Sequence, residues 1–293
     1  MSLAAARRAP AAIPPQDTLY AFAGHSGARV VLHAGGTRSF VRKTAAAPNQ
    51  NERLIDQAEK QRHLARIGIP FPPVFASGID DAACAFFDMA YVPGRTVAYA
   101  VANSIPFAPG PVFAAVERML WLFQACRGAT LPARAFHDKI ETIARDGDDT
   151  VRACAALLKA RDWDGIPDSP SHGDLTLENI MLGPERNVVF IDCDRPWVSS
   201  YWLDMGKLFQ DLVGHWCLRR LYGSSDRVQR ANAIEKLSQL ENVFRPLIAR
   251  EEPGLAERLH QLAALNLFRA LPYTVDRETA AFIATRIHHV LER

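Results

Sequence analysis

The chain has 293 residues, 48% of them apolar and 23% charged, and a formal charge of +2. These totals suit a folded protein with a sizeable core and give no electrostatic reason to expect nucleic acid or an acidic membrane as partner. No stretch approaches the ~20 apolar residues of a membrane span, and five scattered cysteines without a CxxC pair fit neither a zinc site nor a disulfide framework.

The cysteines read instead as reduced thiols used as small apolar residues, which suits a cytoplasmic protein. Residues 1–17 are rich in alanine and proline and carry two arginines, without the roughly 7–15 apolar residues of a secretory signal. They are expected to be a disordered tail.

The first ordered elements read as sheet. Arg29–His33 is a short β-branched run, Gly35-Gly36 signals a turn, and Thr37–Lys43 resumes the extended pattern. A period of two puts Val41 and Lys43 on one face. Asn51–Ile67 follows as a helix, with Leu54, Ala58, Leu64 and Ala65 on one stripe and Gln61 between them. Pro70, Pro72 and Pro73 are expected to stop it.

Val74–Ser77 and Cys84–Val92 complete a small sheet, broken by Pro93-Gly94. Beyond that point the pattern turns helical. Val112–Cys126 is apolar nearly all round, as a buried helix would be, and Val151–Ala160 is a second helix. Asn187–Asp192 interrupts as a β-like island. Leu203–Leu212, Ala231–Val243, Gly254–Ala270 and Thr279–Leu291 read as further helices. The chain thus divides into a small sheet-rich part and a larger helical part, joined near Tyr91–Gly94.

The most informative segment is Ser171-His172-Gly173-Asp174-Leu175-Thr176-Leu177-Glu178-Asn179-Ile180, followed by the apolar run Val188–Ile191 and then Asp192. Phosphoryl transfer needs a carboxylate near the attacking hydroxyl and oxygen ligands for a magnesium ion that bridges the phosphates. An Asp and an Asn five residues apart on one loop, with a further Asp at a nearby strand end, can supply all three.

These residues resemble the catalytic loop and metal-binding segment of the aminoglycoside phosphotransferase-like enzymes, relatives of the protein kinases. The resemblance implies an α+β, two-lobed protein-kinase-like fold, with an antiparallel-sheet N-lobe over residues 18–93 and a helical C-lobe over 94–293. It also implies ATP and Mg2+ as cofactors. By position, Asp174 orients the acceptor hydroxyl, Asn179 and Asp192 hold magnesium, and His172 packs the loop.

The N-terminal part agrees. Gly24-His25-Ser26-Gly27 reads on its own as a hairpin turn; beside the resemblance, Gly24, Ser26 and Gly27 become small residues whose backbone N–H groups lie over phosphates. Lys43 resembles the strand lysine that contacts the α- and β-phosphates. The carboxylate that should pair with this lysine is missing at the expected place, where Gln57 stands. Either Gln57 serves as a neutral partner, or a different helix register brings in Glu59.

Phe87–Gly94 resembles the segment joining the lobes, where Met89 and Tyr91 would meet adenine through backbone groups. Asp204, in Trp202-Leu203-Asp204, resembles a helix-start aspartate that steadies the catalytic loop, a role compatible with simple capping. Asp194 reads as a solvated loop acid rather than one that helps the metal through water.

No GxxxxGK[ST], HExxH or GxSxG motif competes. The expected acceptor is a small-molecule hydroxyl (a sugar, an amino alcohol or an aminoglycoside-like compound). The rival readings are a protein serine/threonine kinase and a nucleotide-binding pseudokinase. Nothing in these residues speaks to oligomeric state.

Overall fold

The computed structural model describes residues 18–22, 27–34, 39–274 and 276–293. The expected tail over 1–17, Gly24 and Ser26 of the proposed phosphate turn, and the Gly35-Gly36 turn all lie outside the described residues. The chain forms two compact units. One is the N-terminal part to Gly94 together with Val189–Arg195; the other is Arg95–Val188 with Pro196–Arg293.

The first unit is built on five antiparallel strands in the order β1-β2-β3-β5-β4. They are β1 (Thr18–Phe22), β2 (Arg29–Ala34), β3 (Phe40–Thr44), β4 (Val74–Ile79) and β5 (Ala85–Ala90). Alternation works as expected on β3, where Val41 and Lys43 are buried together. On the opposite face Arg42 sits across from Asp88 on β5 and grips its carboxylate through two bonds of 2.7 and 2.8 Å.

Helix α1 (Asn51–Arg66) covers one face of the sheet. Leu54 and Ala58 join Ala45, Cys84, Ala85 and Phe87 in one apolar cluster, with Val74 and Met89 packed against it. The Asn51 side chain ties the helix start to the β4–β5 turn. It donates to the Ala83 carbonyl at 2.8 Å and accepts from the Ala85 N–H at 2.6 Å.

The prolines do not stop this helix; Gly68 does. Its φ of +89° is a left-handed conformation that glycine adopts without steric cost. From there Gly68 N–H reaches the Ala65 carbonyl at 3.1 Å and Ile69 N–H reaches the Leu64 carbonyl at 3.1 Å. This pair of bonds closes the helix before Pro70 is reached.

The second unit is mostly helical. A short pair, β6 (Arg95–Thr96) with β7 (Ile180–Leu182), precedes α2 (Val97–Ala102), whose N-cap Thr96 accepts from Tyr99 N–H. Then come α3 (Pro109–Gln124), α4 (Ala133–Arg145) and α5 (Asp149–Lys159), while β8 (Val188–Phe190), which leads to Asp192, lies in the first unit from Val189 onward. The chain finishes with α6 (Tyr201–Leu212), α7 (Arg219–Tyr222), α8 (Arg227–Glu251), α9 (Pro253–Ala270) and α10 (Arg277–Leu291).

Several bounds differ from the sequence expectation. Helix α3 is not buried all round as expected: Ala114, Arg118 and Trp121 are exposed. Helix α8 runs past the expected Val243 and through Pro246. The pair β6–β7 and the helices α2, α4 and α7 carry no counterpart in the expected set.

The centre of this unit is α6, packed along α9. A side-chain carbon at Gly206 would lie 2.7 Å from Leu262 Cβ and 3.0 Å from its backbone carbon, so only glycine permits the approach. Asn266 on α9 donates to the Leu203 carbonyl at 3.2 Å. Every residue of α6 except Lys207 is buried.

Candidate active site

In the second unit the site is organised by one face of α6. At 100° per residue, Asp204, Lys207 and Asp211 stand within about 60° of one another around the helix axis. Each addresses a different part of the segment 172–179.

Asp204 holds its start. Its two carboxylate oxygens accept His172 N–H at 2.5 Å and Gly173 N–H at 2.8 Å. Gly173 has φ +94°, so the chain turns sharply just before Asp174. His172 is fully buried, and its Nδ1 accepts Asp174 N–H at 3.2 Å.

Asp211 holds the middle. This fully buried acid accepts Leu177 N–H at 2.7 Å and Cys217 N–H at 3.0 Å. Burial first, then the charge of Glu178, pushes its carboxyl up to about 7, against the Leu177 N–H donor and the cations Lys207 and Arg219.

Between the two anchors lies Asp174. Lys207 Nζ stands 3.1 Å from its Oδ1, and Asn179 Nδ2 donates at 2.9 Å to its Oδ2 and at 2.8 Å to its backbone carbonyl. Burial works against the charged form, but Lys207, His172 and Asn179 together outweigh it and hold the carboxyl below its ordinary value. The Asp174 carboxylate is therefore ionised and fixed at both oxygens. With its amide nitrogen on Asp174, Asn179 keeps a carbonyl oxygen free of any hydrogen bond among the described residues.

In the first unit, Lys43 and Asp192 come together. Lys43 is buried on β3 and its ammonium pairs with Asp192 Oδ1. Gln57 on α1 donates to the same oxygen at 2.9 Å and also to the Cys193 carbonyl. The register of α1 thus selects Gln57, while Glu59 is exposed. The neutral amide bears on the carboxylate that Lys43 pairs with, not on the lysine itself.

Asp192 has φ +59°, a left-handed conformation tolerated by Asp more readily than by most residues. Its strand is fixed just upstream: Phe190 N–H donates to the Pro70 carbonyl at 2.7 Å. Downstream, Asp194 is gripped by Arg53 and Arg195 by Asp56, so Asp194 is an ion-paired acid and not a solvated one.

Gly27 has φ +75°, a backbone setting that favours glycine for conformational reasons. Met89 lies within β5 opposite Val41 and Val74, and Tyr91, which follows the end of that strand, is exposed.

The sequence matches the profile of the phosphotransferase enzyme family over residues 19–247. The chain belongs to this family. It is a phosphotransferase of the kinase type, and the expected kinase-like α+β fold is the one observed. A thermostable mutant of the aminoglycoside phosphotransferase APH(4)-Ia, in ternary complex with AMP-PNP and hygromycin B, aligns at TM-score 0.61 and 16% identity, covering 94% of this chain and 93% of that one.

A putative fructosamine-3-kinase from Haemophilus somnus aligns at TM-score 0.57 and 12% identity, over 94% and 91% of the two chains. The aminoglycoside phosphotransferase APH(3'')-Id from Streptomyces rimosus aligns at 0.52 and 20% identity, over 93% and 92%. Identities this low speak for the fold of this phosphotransferase. No curated protein matches its sequence significantly.

Two residues of this site had no role assigned from sequence, Lys207 and Asp211. The signal was present in Asp204-Met205-Gly206-Lys207-Leu208-Phe209-Gln210-Asp211: charged residues at helical spacing in an otherwise buried helix.

Proposed function

We propose that this phosphotransferase moves the γ-phosphoryl group of ATP, as its magnesium complex, to a hydroxyl of a small molecule in the cytoplasm. The observation that carries the reading is the fixed, ionised Asp174 carboxylate, held on a loop whose backbone N–H groups are clamped by two buried acids. A carboxylate so placed can orient a hydroxyl and take its proton as the oxygen–phosphorus bond forms.

The donor set fits magnesium with nucleotide. Among the described residues no three His, Cys, Asp or Glu side chains gather into a self-sufficient metal cage. Magnesium bound with phosphates needs only one or two carboxylates, the remaining ligands being water and phosphate oxygens. Asp192 offers a carboxylate, and Asn179 an amide oxygen that accepts no hydrogen bond among the described residues. The ion would neutralise charge on the transferring group.

Lys43 takes the phosphates, which requires its ammonium to share or leave Asp192, and Gln57 then keeps that carboxylate oriented. Gly24, Ser26 and Gly27 belong to the phosphate turn, and Met89 and Tyr91 to the adenine contact. The nucleotide and antibiotic in the ternary complex of the structural relative support this reading of donor and acceptor class.

The test is magnesium-dependent phosphorylation across a panel of hydroxylated metabolites, with Asp174→Ala, Asp192→Ala and Lys43→Ala beside the parent protein. We expect the two aspartate variants to lose at least about 100-fold in kcat, and Lys43→Ala to lose mainly in kcat/KM for ATP. Activity that survives both aspartate changes refutes the assignment, and label appearing on the protein itself would favour a protein kinase.

A further inference from the structure

Charge around the proposed base suggests which hydroxyl compounds it serves. The segment 171–180 contains two acids, Asp174 and Glu178. Each is taken by a cation from the same unit: Asp174 by Lys207 at 3.1 Å and Glu178 by Arg219 at 3.1 Å. Arg219 is further fixed by the Trp216 carbonyl at 3.1 Å and lies over the Trp216 ring. Both acids of the loop itself are thus matched by a basic side chain, and Asp204 and Asp211 behind it are buried.

Lys207 is the distinctive member of this set. It is the one residue of α6 that is not buried, and its side chain is 18% exposed while that of Asp174 is 38% exposed. The carboxylate is thus reachable by an acceptor, with a partly desolvated ammonium against one of its oxygens. Charges in such a setting act more strongly than in bulk water. An acceptor whose hydroxyl sits on Asp174 brings its neighbouring groups to within several ångströms of that ammonium.

We infer that Lys207 is a specificity-determining residue that excludes acceptors bearing ammonium groups beside the reacting hydroxyl and admits neutral or anionic hydroxyl compounds. This inference rests on the proposed role of Asp174. The discrimination comes from the ammonium that stands against one oxygen of the Asp174 carboxylate. One like-charge contact at about 7 Å in a half-solvated site corresponds to roughly tenfold in binding, and polyamines multiply it.

The experiment measures kcat/KM with ATP for neutral acceptors (ribose, glycerol, inositol), anionic acceptors (gluconate, glycerate) and cationic ones (hygromycin B, streptomycin). The parent protein, Lys207→Met, Lys207→Arg and Asp174→Asn are compared, each checked by thermal melting. The parent should prefer the best neutral or anionic acceptor over both aminoglycosides by at least tenfold. Lys207→Met should shrink that preference about tenfold through KM for the cationic compounds, and Lys207→Arg should restore it.

A parent protein that works best on an aminoglycoside overturns the inference, whether or not the methionine variant folds. So does a preference unmoved by Lys207→Met. Transfer that needs Asp174 but ignores acceptor charge sinks the inference alone. Transfer that survives Asp174→Asn sinks the underlying reading as well.

Discussion

The sharpest test of how the site is built is Asp204→Asn. The two carboxylate oxygens of Asp204 accept N–H groups of His172 and Gly173 at 2.5 and 2.8 Å, and the residue is 1% exposed. An asparagine of the same shape has one acceptor oxygen and one NH2 group. One hydrogen bond survives without its charge assistance, and the other becomes two donors facing each other in a buried place. A charge-assisted bond is worth about 1.5–3 kcal/mol, and a stranded buried N–H costs about 1–3 kcal/mol.

After allowing for the relief of desolvating the charge, we expect Asp204→Asn to lose about 3 kcal/mol of stability, read by urea unfolding. The Gly173 turn sets the direction of Asp174, so a shift there of a fraction of an ångström moves the base out of line. Turnover should fall about 100-fold in kcat. The KM for ATP should change much less, because the phosphates are assigned to Lys43 in the other unit. A variant within about 0.5 kcal/mol of the parent in stability, and within a few-fold in kcat, would refute the view that Asp204 sets the loop.

Two further predictions concern the frame around it. Gly206→Ala places a carbon 2.7 Å from Leu262 Cβ and 3.0 Å from backbone; the overpacking outweighs the gain in helix propensity, and we expect a net loss of about 2 kcal/mol by urea melts, with no loss refuting the tight α6–α9 contact. His215, at φ +57° with its Nδ1 2.6 Å from the Tyr222 hydroxyl, is pushed down to about 3 by burial and then by Arg286, His289 and Arg293. The unfolded chain takes up that proton near pH 6.5 and the folded one only near 3, so its contribution to stability is complete at neutral pH and is lost as pH falls through this window. Between about pH 7 and 5 the loss is at most about 2 kcal/mol, which His215→Asn should remove while keeping the left-handed backbone; Asp211, raised to about 7, shifts stability the other way below neutrality, so parent and variant are compared at each pH. An unchanged pH slope in the variant refutes the assignment.

How much could be read from sequence differs between elements for physical reasons. The stripe of α1 was legible because its buried positions, Leu54, Ala58, Gln61 and Leu64, keep a helical period, and burial of Gln57 extends it. Its end was misread because the prolines are the louder signal, while Gly68 closes the helix by backbone bonds that sequence shows only as a lone glycine. Helix α4 was legible but not read: Phe136, Ile140 and Ile143 recur at i, i+4 and i+7, and the first two are buried. Helix α8 was cut short because Pro246 argues against helix locally, whereas Phe244, Leu247 and Ile248 around it are buried and tertiary packing decides.

At the site, the spacing of Asp174, Asn179 and Asp192 is what the proposed chemistry was read from, since phosphoryl transfer limits which side chains can serve. Pairing was less legible. That Gln57 bears on Asp192 and that Lys207 sits on Asp174 depend on helix rotation and on which rotamer packing leaves open, and neither is written in a motif.

The single helix α6 presents two clamps and, between them, a lysine that holds no backbone in place. Change at position 207 therefore removes one partner of the Asp174 carboxylate, while Asp204 and Asp211 keep the backbone of the loop in place and Asn179 keeps the other oxygen. The scaffold keeps its instrument and its dial on the same rod, yet leaves the dial alone free to turn.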